Sequence, residues 1–128
     1  MKTRSVLLQL VRDSIQEVYE AHRTIDRSKL LSQHPLLNEK ISTTIKIYLD
    51  NKLRGSSSSS KASKSLLEDI VHNAKKAAFE DKNFSPLTTS EYLRSEIELI
   101  LNTPDGIMSE KDTAISTDDP DLTKVFSS

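Results

Sequence analysis

"KSLLEDIVHNAKKAAFED", residues 64–81, decides the fold class. Leu67, Ile70, Val71, Ala74, Ala77 and Ala78 recur at three- and four-residue spacing, the period of a helix with one buried stripe. Ser65 is a good N-cap, and Glu68 stands three residues further on, the spacing of a capping box. Three alanines in the stripe leave little side-chain bulk between this helix and whatever it covers. That predicts a close approach to a sheet.

The sheet itself is legible upstream. In "ISTTIKIYL", residues 41–49, Ile41, Thr43, Ile45, Ile47 and Leu49 alternate with Ser42, Thr44, Lys46 and Tyr48. The run is dominated by β-branched residues and reads as a strand with one buried face. "LDNK" follows as a hairpin turn, with Asn51 the residue best suited to a left-handed conformation. A three-residue loop would put Leu53 on the apolar face with Ile47 and turn Arg54 away from it. A two-residue loop would send Arg54 toward the core, where an unpaired charge is costly. The first register is the expectation. Downstream, "SEIELIL", residues 95–101, alternates again, with Ile97, Leu99 and Leu101 on one face, and a short turn starts near Thr89.

Further upstream, "RSVLLQLVRDSIQEVYEAH", residues 4–22, is an amphipathic helix through Leu7, Leu10, Val11, Ile15, Val18 and Tyr19. "DRSKLLSQ" adds a helical turn capped by Asp26 or Ser28, and Pro35 ends it. After Pro104 periodicity is lost, and residues 105–128 read as an acidic, disordered tail behind a domain of residues 1–104. The expected architecture is α/β (α+β): helices on a small mixed or antiparallel sheet built from residues 41–56 and 95–101, incomplete at its C-terminal end. An open strand edge left by missing partners would favour aggregation.

Composition narrows the function classes. The 128 residues suit one domain and carry a net charge of −1, with no global signal for nucleic acid. Residues 104–128 hold six acids and two lysines, leaving a net +3 on residues 1–103. No cysteine is present, which excludes disulfides, thiolate nucleophiles and Cys-based metal sites within the chain and fits the cytoplasm. "SVLLQLV" is broken by Arg12 and Asp13 and is no signal peptide, and no run reaches the roughly 20 apolar residues of a membrane span.

Taken in order, strand, turn, Leu53-Arg54-Gly55, loop, "LLEDIVHNAKKAAFED", "FSPLT" and "SEIELIL" resemble the AMMECR-type domain, also called protein A of the AmmeMemoRadiSam system. That family carries LRGCIG, then L-x-E-D-V-x-x-N-A-x-x-A-A-F-x-D-P-R-F-x-P-L-T, then an E-I-E strand. The likeness runs from Leu7 to Pro104 and is most specific at Asn73, Ala74, Ala77, Ala78, Phe79, Asp81, Phe84, Pro86 and Leu87. It places Ser56, Ser57 and Ser58 where the family has cysteine, isoleucine and glycine. The polyserine run is therefore a changed motif and not an interdomain linker, and low β-propensity predicts a weak or mobile end to the hairpin. The D-P-R-F element reads Asp81-Lys82-Asn83-Phe84 here, without its arginine. The family's later half, including a G-x-D-G-L segment, finds no counterpart in residues 105–128. The chain thus reads as an N-terminal portion, truncated or degenerate.

What the resemblance implies for function is an intracellular accessory or protein-interaction component whose partners are Memo-like or radical-SAM proteins, engaged through the hairpin with Arg54. It implies no cofactor. The alternative is a small-substrate enzyme with its site around Leu53, Arg54, Gly55 and Ser56. Arg54 has the chemistry to hold a phosphate or carboxylate. Ser56 would be a nucleophile only with a histidine beside it, and His72, on the helix flank, is the candidate. Asn73 and Asp81 are expected to brace turns and helix, with Phe84 and Pro86 as structural motif positions. Glu96 and Glu98 share a strand face but lack a third ligand, so no metal is expected. Lys75-Lys76 is expected to be a solvated helix face. Nothing in the sequence sets an oligomeric state.

Overall fold

A computed structural model of the chain describes residues 5–115. Its elements are α1 (Val6–Glu20), α2 (Arg27–Gln33), a 3-10 turn (Pro35–Asn38), β1 (Ser42–Leu49), β2 (Lys52–Ser58), α3 (Leu66–Phe79), α4 (Thr89–Arg94), β3 (Glu96–Thr103) and β4 (Gly106–Asp112). The four strands form one antiparallel sheet in the order β2-β1-β3-β4, and α1 and α3 pack together, with α3 lying on β1 and β2. The chain is an α+β fold.

The helix boundaries follow local chemistry. Ser5 caps α1 by accepting the Leu8 N–H, Asp26 caps α2 through Lys29, and Ser65 caps α3 through Glu68. Thr88 and Glu91 complete a reciprocal capping box on α4. The stripe Leu67, Ile70, Val71, Ala74, Ala77 and Ala78 is buried against Ile45, Ile47, Ile97 and Leu99 from the sheet and against Leu10, Val11 and Ile15 from α1. Each large aliphatic side chain in this layer contributes about 1.5–3 kcal/mol relative to exposure.

The β1–β2 register differs from the expectation. Asp50 and Asn51 both have positive φ, at 53° and 65°, and form a two-residue turn closed by the Leu49–Lys52 pair. Tyr48 then faces Leu53 while Ile47 faces Gly55, so Arg54 is the extra residue of a β-bulge. Leu53 does not join Ile47 on the apolar face and remains 44% exposed. The bulge wins for two reasons. It sets Gly55 against the Ala77 carbonyl of α3, where a Cβ would collide. And the inward-turned arginine is not left unpaired, as shown below.

The strand does not fade at the serines either. Ser56, Ser57 and Ser58 pair with Lys46, Ile45 and Thr44.

The expectation of a structureless segment from residue 105 fails over its first part. Gly106–Asp112 is β4, paired with β3 from Thr103–Gly106 to Ile97–Asp112. The remainder, residues 116–128, lies outside the described residues. β4 is fixed from beneath by Arg12, which is fully buried in α1. Its Nε donates to Asp112 Oδ2 at 2.6 Å, Nη1 to Ser95 Oγ at 3.2 Å, and Nη2 to the Ser95 and Thr113 carbonyls at 2.8 and 3.0 Å. The guanidinium also sits 5.2 Å from the Tyr92 ring centroid.

Candidate functional site

Of the residues singled out in the sequence, Arg54, Asn73, Asp81, Phe84 and Pro86 converge on the seam between β2, α3 and the loop after α3. Arg54 is the centre of one cluster. Its Nε and Nη2 grip Glu91 in a fork, at 3.2 Å to Oε2 and 3.0 Å to Oε1. Nη1 donates to the Ser85 carbonyl at 2.9 Å and Nη2 to the Pro86 carbonyl at 3.4 Å. The Phe84 ring lies 5.7 Å from the guanidinium carbon. Glu91 also accepts from the Thr88 N–H. The hydrogen bonds from Arg54 and from Thr88 hold its carboxyl below the usual carboxylate range despite partial burial.

A second cluster runs along α3. Asp69 Oδ2 accepts from the N–H and Oγ1 of Thr43, at 2.8 and 2.7 Å, and Oδ1 accepts from Ser59 Oγ at 2.7 Å. Asn73 Nδ2 donates to Thr43 Oγ1 and Ser59 Oγ, both at 2.9 Å, and its Oδ1 accepts from Ser57 Oγ at 2.7 Å. Asp69 and Asn73 lie one turn apart on the helix, 1% exposed each, and reach the two strands of the hairpin together. Asp81 closes the series: Oδ2 accepts the Ser56 N–H at 2.9 Å and Oδ1 the Asn83 N–H at 2.8 Å. No buried side-chain polar atom among the described residues is left without a partner.

The loop after α3 is tied down in the same way. Leu87 N–H donates to the Ala78 carbonyl, and Tyr19 Oη donates to the Leu87 carbonyl at 2.6 Å. Tyr19 meets Phe79 edge-on at 5.2 Å and Tyr92 at 5.7 Å. Burial, with the Tyr92 and Glu91 charges, pushes its hydroxyl up to about 12.

Chemically, this seam is a closed network. Every nitrogen of Arg54 has an internal acceptor. Ser56 pairs with Lys46, a half-buried residue of the sheet face away from the helices, whereas Ser57, opposite Ile45, reaches Asn73, as does Ser59. His72 is exposed and lines a different cleft with Lys64 and Glu68, so no serine–histidine pair forms with Ser56. Asn73 and Asp81 brace the hairpin to the helix, and Phe84 and Pro86 shape the pocket of Arg54. Glu96 and Glu98 do not gather a third acid: Glu98 accepts from Tyr48 Oη at 3.1 Å, and no group of three potential metal ligands exists among the described residues. Lys75 is not simply solvated, since it donates to the buried Glu17 at 3.1 Å.

Sequence reasoning missed Glu91, Asp69, Thr43, Ser57 and Ser59 as members of the seam. Two had a readable signal. Thr88-x-x-Glu91 is a capping-box spacing, and Asp69 and Asn73 share one helix face at i, i+4.

The same order of elements is found in other proteins. The sequence profile of the AMMECR1 family matches residues 8–118. The chain belongs to the AMMECR1 family. The match runs past Pro104 into β4, so the family domain takes in part of the segment that had read as an unrelated ending. No curated protein matches the chain. Among solved structures it is similar to Uncharacterized Protein PH0010 from Pyrococcus horikoshii, at 25% identity and a TM-score of 0.68 over 77% of this chain. The AMMECR1-family chain spans 50% of the length of that protein. No helix among the described residues is long and apolar enough to cross a membrane.

Proposed function

We propose that this AMMECR1-family chain is an accessory, protein-interaction domain of the cytoplasm, and that it serves Memo-like or radical-SAM proteins. The observation that supports this over the enzyme reading is the closed seam. Arg54, Asp69, Asn73 and Asp81, the polar residues that a small-substrate site would use, spend their hydrogen bonds on neighbouring side chains such as Glu91 and Ser57 and on the backbone of this chain. An active site keeps convergent polar groups for its ligand. A motif spent internally instead builds a rigid surface, and rigid surfaces suit docking.

The test is a pull-down of purified Memo-like and radical-SAM proteins on immobilised chain, with a longer family member beside it. Retention of either protein at micromolar concentration is expected. No retention by both baits overturns the reading.

A further inference from the structure

The helical layer does not cover the whole sheet. At the β3–β4 turn it stops short, and a cleft of about 500 Å³ opens between the start of α1, the 3-10 turn and the strand pair. Its floor is apolar: Leu7, Ile41 and Leu101. Two large side chains stand over the floor with much of their surface in water, Leu36 at 49% and Met108 at 60% exposed. Scattered exposed apolar residues are ordinary, but two of them lining one cleft with an apolar floor mark a contact surface.

The rim has its own character. Glu39, Asp105 and Glu110 border the cleft against a single lysine, Lys40. None of the three acids takes part in an ion pair among the described residues, although Glu110 accepts a hydrogen bond from Ser5. The seam behind Arg54 is different: Arg54 and Glu91 form an ion pair there, and Asp69 and Asp81 each accept two or more hydrogen bonds from within the chain. An acidic rim around an apolar floor selects against anionic lipid and acidic peptides. It favours a chain that brings an apolar side chain with cations on either side. Apolar contact would supply most of the affinity, and the rim would supply selectivity and salt dependence.

We infer that this cleft docks a short basic segment of a partner protein, one that presents bulky apolar side chains flanked by lysine or arginine. The inference rests on the interaction reading above and names the surface that performs it. It does not require the partner to be Memo-like.

The test uses a labelled peptide in which a Leu-Phe pair is flanked by lysines, titrated with the whole chain by fluorescence anisotropy and followed by amide chemical shifts. Expected are shift changes centred on Leu36, Ile41 and Met108, and an affinity that falls with added salt. Replacing the lysines by glutamates, or Leu-Phe by two serines, weakens binding at least about tenfold. Met108→Asp and Glu39→Lys do the same from the protein side, while Glu80→Lys, on the exposed end of α3, does not. Both affected residues are exposed, so the variants keep the wild-type melting curve. Equal binding of the glutamate peptide, shift changes away from the cleft, or full binding by Met108→Asp overturns the inference. Failure here with pull-down of a Memo-like protein intact removes the cleft alone. Peptide binding without that pull-down removes only the identity of the partner.

Discussion

Arg12→Met should be among the most damaging single substitutions in the chain, at a residue that looks from sequence like a break in an apolar run. The guanidinium is fully buried and gives hydrogen bonds to Asp112, Ser95 and Thr113. Methionine fills much of the volume but supplies none of these donors. Asp112, whose side chain is 10% exposed, loses the Arg12 charge, and the backbone carbonyls of Tyr92, Ser95 and Thr113 each lose a donor. Breaking a buried pair from one side costs about 3–5 kcal/mol. With total stability of about 5–15 kcal/mol, about a fifth or more would be lost. For an m value of roughly 1.5 kcal/mol/M, the urea midpoint falls by roughly 2–3 M. The loss is also local in character. Hydrogen exchange should accelerate in Gly106–Asp112 before it does in β1, because Arg12 joins α1 to the last strand. Arg12→Met with Asp112→Leu should recover part of the loss, since an apolar replacement of both partners avoids breaking the buried pair from one side. If Arg12→Met does not fold, Arg12→Lys, which keeps the charge but not the fork, gives an intermediate loss. A loss under about 1 kcal/mol, or uniform exchange across the sheet, would refute the reasoning.

Two further outcomes follow from the packing. Gly55→Ala should destabilise by about 1–3 kcal/mol in urea, because the new methyl meets the Ala77 backbone, which cannot swing aside as a side chain would. Glu17 should give the melting temperature an acid slope. Burial pushes its carboxyl up, but the N–H groups of Ile25 and Thr24 and the Lys75 ammonium outweigh that, and it sits below the usual value of 4.5. Its contribution is therefore complete above the usual value and is lost as pH falls through the lowered one. Glu17→Gln should flatten the melting curve against pH in that window, and an unchanged slope would assign the acid sensitivity to other groups.

Much of the scaffold was legible because its signals are periodic. The α3 stripe and the alternating faces of residues 41–49 and 95–101 each bury one side, and burial writes itself into sequence as a period. β4 had no such signature. It is an edge strand, and of its residues only Asp112 is buried, so alternation was never imposed on it. The β1–β2 register failed for a related reason. Its choice turned on whether Arg54 had a partner, and that partner, Glu91, lies 37 residues away. Arg12 was hidden likewise, with acceptors 80 to 101 residues distant in the chain. The seam was half legible: the family likeness marked Asn73 and Asp81, but the serines that replace the usual motif looked empty. Ser57 and Ser59 instead form part of the polar network beneath the hairpin. Small hydroxyls leave no hydrophobic pattern, so their role emerges only when α3 is set against the strand.

If the Arg54 motif braces the fold rather than holding a ligand, Arg54 and Glu91 should be coupled in stability while partner retention is indifferent to both. A double-mutant cycle of Arg54→Met and Glu91→Gln, read by urea unfolding with partner retention on the same samples, tests it most directly. Expected is a coupling of about 1–3 kcal/mol, as for a forked, half-buried pair, with retention unchanged in every variant that remains folded. Coupling near zero, together with loss of retention in Arg54→Met alone, would contradict it and return Arg54 to the ligand.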